Sequence, residues 1–72
     1  MNKELDDMLD KVKRVLDRAG GRNLPTDLAK LASDARTAKE QAEQAREKDL
    51  PTAVSFARRA EFLAKDLSER LP

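Results

Sequence analysis

The chain has 72 residues, which suits one domain that buries only about 60% of its unfolded surface, so efficient helices or a partner are expected. It contains no His, Cys, Trp or Tyr, which excludes disulfides and zinc–thiolate sites and removes the commonest nucleophiles, general acid–bases and transition-metal ligands. Fifteen basic residues stand against 14 acidic ones, a near-balance that gives no simple argument for a polyanionic partner.

The first helix is expected from about Lys3 to Ala19, with Asn2 as its cap and Gly20-Gly21 as a positive-φ stop. Leu5, Met8, Leu9, Val12, Val15, Leu16 and Ala19 recur every three or four positions, a stripe broad enough to face two other helices. Acidic residues (Glu4, Asp6, Asp7, Asp10) crowd the start, and basic ones (Lys11, Lys13, Arg14, Arg18, Arg22) follow. That order complements the helix dipole. It also defines the alternative reading of the chain as a small nucleic-acid-binding accessory protein, although no interleaved aromatics or glycine-rich cradle accompany the basic residues.

The second helix is expected from about 24 to 48 and the third from about 50 to 71. Each follows a copy of one start signal, Asn23-Leu24-Pro25-Thr26 and Asp49-Leu50-Pro51-Thr52. An Asx side chain there can accept from the orphan N–H groups of the first turn, and proline tolerates the position because its missing N–H is not needed. Leu28, Leu31, Ala35, Ala38, Ala42 and Ala45 form a seam in the second helix, and Ala53, Ala57, Ala60, Ala64, Leu67 and Leu71 form one in the third.

The junction at 47–50 leaves room only for an antiparallel reversal, so residues whose numbers sum to about 98 should face each other. Alanine then opposes alanine near the turn, from Ala45 with Ala53 to Ala35 with Ala64. Leucine opposes leucine at the open end, in the pairs Leu31 with Leu67 and Leu28 with Leu71. The expected fold class is all-α: a three-helix bundle made of an Ala-seamed antiparallel hairpin and a shorter N-terminal amphipathic helix, forming a single domain over 1–72. Phe56, Leu63 and Leu67 are read as a ridge for docking the first helix along the wider, leucine-lined part of the hairpin.

Phe62 breaks this pattern, because at 100° per residue it points away from the Ala57-Ala60-Ala64 seam. With Val54, Arg58, Arg59 and Lys65 it forms a candidate partner-binding face, since exposed aromatic and Arg side chains dominate interaction hot spots. The carboxylate sets Asp6/Asp10 and Glu40/Glu43/Glu47 lack the loop geometry of a calcium site. Glu43 and Glu47 are assigned to surface pairing, as in Lys39 with Glu43 and Glu43 with Arg46. No cofactor, metal or catalytic residue is expected.

Lys48-Asp49-Leu50-Pro51-Thr52-Ala53, continuing to Ala57 and Ala60, resembles the turn and second helix of a tetratricopeptide-type hairpin. The chain is also similar to Ala-rich helical hairpins of bacterial envelope proteins. These resemblances imply close helix packing and partner binding, and they carry no functional residue across.

The expected function is therefore non-enzymatic, a protein-interaction or scaffolding module acting through a protein partner or self-association. A de novo designed bundle whose purpose is folding itself is an alternative, suited by the regular caps and matched seams. No stretch approaches the roughly 18 apolar residues of a membrane span, and Met1-Asn2-Lys3-Glu4 lacks the apolar run of a signal peptide. A cytoplasmic location is expected.

Overall fold

In the computed structural model, which describes residues 3–20 and 23–71, the stripe of apolar residues in the first segment becomes helix α1, Lys3–Ala19. Leu5, Leu9, Val12, Leu16 and Ala19 are its buried positions. Glu4 and Asp6 occupy the first turn and Arg18 the last, in keeping with the dipole. Of the residues expected to cap α1, Asn2 and Gly21 lie outside the described residues, and Gly20 does not have positive φ. A Cβ on Gly20 would approach the Leu16 carbonyl oxygen to 3.3 Å, so at this turn glycine relieves a close approach.

Helix α2 spans Thr26–Ala45 and helix α3 spans Leu50–Arg70. The two copies of the start signal behave differently. Asp49 caps α3, its side chain accepting from the Thr52 amide at 3.5 Å and from the Thr52 hydroxyl at 2.6 Å. Asn23 does not cap α2. There the N-cap is Pro25, in an extended conformation with φ −55° and ψ 156°, and no side chain bonds the first turn. The Ala29 amide donates to the Pro25 carbonyl at 2.9 Å, so the helix starts two residues later than expected.

The leucines explain the difference. Leu24 is half-buried against the core cluster containing Leu16 and Ala19, which keeps the chain extended as it enters α2. Leu50, at the same place in the second copy, is 42% exposed and sits within the first turn of α3. At its other end α2 stops at Ala45 rather than Lys48. Residues 46–48 form the turn, closed by Lys48 and Asp49 amides that both donate to the Ala45 carbonyl.

The helices run up, down and up, so α1 is parallel to α3. The interior divides into two clusters. One gathers Leu5, Leu9, Ala42, Ala53 and Ala57, with Met8, Ala45 and Phe56 at its margin. The other gathers Val12, Leu16, Leu28, Ala35, Ala38, Ala60, Ala64 and Leu67, with Leu31 and Leu71 at its margin. Each of the six expected α2–α3 pairs falls inside one cluster, as the antiparallel register requires.

Fully burying Leu5, Val12 and Leu67 stabilises the fold by about 1.5–3 kcal/mol each. Among the described residues no buried side chain is polar or charged. The molecule measures 36 × 18 × 17 Å, the long dimension matching a helix of about 20 residues.

Helix α1 docks along the leucine-lined part and reaches on to the alanines near the turn, where Leu5 and Met8 come level with Phe56 as expected. One expectation about α1 needs correction, because it docks on a different flank of α3. Lys11, Val12 and Val15 of α1 line a groove with Glu61, Ala64, Lys65 and Ser68 of α3, and Arg18 donates to Ser68 Oγ at 3.2 Å. At 100° per residue, Phe56 and Leu63 lie on the opposite flank, beside α2. Both are half-buried there. The small Ala57 and Ala64 let α1 approach on its own side, and the larger ridge remains for the hairpin.

Candidate interaction surface on the third helix

Pro51 in the first turn and the side-chain cap from Asp49 fix where α3 begins, and the alanine seam fixes its rotation. With Ala53, Ala57, Ala60 and Ala64 turned inward, the opposite face must present Phe62. Phe62 is 72% exposed, and Arg58, Arg59 and Lys65 around it are exposed as well. Val54 is half-buried. All five expected residues therefore belong to the outer side of one helix, with Val54 at its edge.

The surface has two shallow depressions, of which the one at the start of the helix is the more apolar. Phe62, Lys65, Asp66 and Glu69 form one. Leu50, Pro51, Val54, Ser55 and Arg58 form the other, at the start of the helix. Arg58 and Val54 join the second depression to the neighbourhood of Phe62. Leu50 was missed by sequence reasoning because it was read as part of a helix start. Its angular position, off the seam and one residue after the cap, was the available signal.

Among the described residues Arg58, Arg59 and Lys65 form no ion pair with any carboxylate. Asp66 accepts from Arg70 Nε at 3.1 Å. The Phe62 ring is thus bordered by three unpaired cations and by carboxylates farther along the helix. This arrangement suits contact with another macromolecular surface: an aromatic ring to exclude water, and cationic groups to set orientation.

The other candidate features are the basic residues of α1 and the carboxylate sets. Arg14 is tied to Asp10 at 3.0 Å, Arg18 bonds Ser68, and Arg22 lies outside the described residues. Lys11 faces the α1–α3 groove, which also contains Glu61 and Glu69. Lys13 is exposed on another side of α1. Lys11, Arg14 and Arg18, spaced by three and four positions, share one side of α1, where Arg14 and Arg18 are already engaged by Asp10 and Ser68.

Lys39 pairs with Glu43 at 2.8 Å as expected. Arg46, expected to pair with Glu43, instead pairs with Asp6 of α1. No group of three His, Cys, Asp or Glu residues is gathered in a metal-holding arrangement among those described. No helix there is long and apolar enough to cross a membrane. Comparison with protein-family models, curated proteins and solved structures found no match.

Proposed function

We propose that this chain is a non-enzymatic interaction or scaffolding module whose docking surface is the outer face of α3. The observation that carries the reading is Phe62, a large aromatic held 72% exposed on a well-packed helix and surrounded by Arg58, Arg59 and Lys65. A folded monomer gains nothing from that exposure, whereas a partner surface would recover the hydrophobic contact. Val54 and Leu50 extend the apolar strip toward the start of the helix.

The test compares wild type with Phe62→Ala and Arg59→Ala. Light scattering reads self-association, and a photo-crosslinking residue at position 65 reads contact with other proteins. The reading predicts that both substitutions weaken whatever association is found while helicity stays unchanged. An association indifferent to both substitutions would place the functional surface elsewhere.

A further inference from the structure

The charges on the outer face of α3 are ordered along the helix. Arg58 and Arg59 precede Phe62, whereas Asp66 and Glu69 follow it. Arg58, Phe62, Lys65 and Glu69 are spaced by four, three and four positions, so they form one straight stripe, and all four are exposed. Such a stripe is complementary to its own reverse.

We infer that the outer face of α3 docks against the same face of a second copy, antiparallel, about a two-fold axis passing between Leu63 and Ala64. The inference rests on the proposed role of this face and specifies its occupant. In this register Phe62 lies opposite Lys65 of the second copy, and the two Phe62 rings meet diagonally beside the axis. Arg58 lies opposite Glu69 of the second copy, and Arg59 flanks its Asp66. Each contact occurs twice, as a two-fold interface requires.

The charge pattern selects this register over its neighbour. Shifting the helices until Arg58 faces Phe62 of the second copy would also keep the rings near the axis. That shift moves Glu69 opposite Pro51 and Lys65 opposite Ser55 of the second copy, so both Arg58–Glu69 pairs are lost. A parallel pairing places every charge beside its own copy. In the chosen register Asp66 keeps its bond to Arg70 through Oδ1 and has Oδ2 free to accept from Arg59 of the second copy.

The contact is one helix against one helix, which belongs with small and transient interfaces. Lys65 contributes its methylene stem to the ring of Phe62 and its ammonium to the ring face. The convex surface needs no opening of the bundle, since Phe62, Arg58, Arg59, Lys65 and Glu69 are exposed and Asp66 lies at the rim.

Sedimentation equilibrium tests the pairing. Wild type should show reversible monomer–dimer exchange, and Arg58→Glu and Glu69→Arg should each weaken it by about tenfold or more. Mixing the two variants should restore association to within about threefold of wild type, because both opposite-charge pairs reform in the mixed dimer.

The chain has no cysteine, so a Ser55→Cys spin label reports orientation independently. Antiparallel pairing places the two labels about 25–30 Å apart, and parallel pairing brings them within about 15 Å. Circular dichroism confirms that each variant is folded.

A chain that stays monomeric at millimolar concentration overturns the inference, as do a mixture that fails to recover or labels that lie close together. If the monomer still contacts another protein through Phe62, only the second-copy pairing fails and the role of this face survives. A dimer unaffected by Phe62→Ala and Arg58→Glu removes both.

Discussion

Arg46, in the turn after α2, forms an ion pair with Asp6 in the early part of α1. Among the described residues it is the one ion pair that joins two helical segments, because the others are all between residues four apart on a single helix. Both side chains are substantially exposed, at 40% and 44%. Solvent screening therefore limits the pair to about 1 kcal/mol or less. A double-mutant cycle with Arg46→Ala and Asp6→Ala should give a coupling of that size, and added salt should reduce it.

The two helix starts should respond unequally to loss of their Asx residues. Asp49→Ala removes the acceptor used by the Thr52 amide and hydroxyl, and should cost about 0.5–2 kcal/mol. Asn23→Ala removes no capping bond and should stay within about 0.5 kcal/mol of wild type in chemical denaturation. Equal losses at both sites would show that Asn23 caps α2 in solution.

The two phenylalanines provide another contrast. Phe62→Ala should leave stability within about 0.5 kcal/mol of wild type, since the ring packs little within its own chain. Phe56 is half-buried against the cluster near the turn, so Phe56→Ala should lower the thermal midpoint measurably. Thermal melts of the two variants side by side decide the matter.

Size matters in opposite directions along the seam. Leu67→Ala at the open end should cost about 2–5 kcal/mol, because a fully buried leucine leaves a cavity. Ala57→Leu near the turn should cost about 1–3 kcal/mol by overpacking, because α1 and α2 both close on that fully buried position. Urea titrations of both variants check the paired expectation. A stabilised Ala57→Leu protein would mean unfilled space at the turn end.

The hairpin register was legible because size matching between Ala35 and Ala64, or Leu31 and Leu67, is a pairwise property that sequence displays directly. Exposure of Phe62 was legible for a related reason, since its angle from the alanine seam follows from helical periodicity alone. The side of α3 that receives α1 was not. Phe56 and Leu63 on one flank and Ala57 and Ala64 on the other both offer apolar contact, and choosing between them requires the handedness of the bundle.

The failure of Asn23 as a cap has a tertiary cause too. The local signal matched that of Asp49, but burial of Leu24 decided the backbone. Arg46 likewise had an adequate partner three residues before it in Glu43, and the approach of α1 supplied Asp6 instead.

Near the turn, the hairpin itself supplies alanines, while α1 supplies Leu5 and Leu9. Helix α1 also packs more extensively on α3 than on α2. Of the three helices, the earliest in the chain thus has the latest as its principal neighbour. Until α3 has emerged, α1 and α2 have only their minor contact with each other, and the alanine seam has no opposing half. Assembly of this domain therefore waits for α3 to emerge and then involves all three helices together.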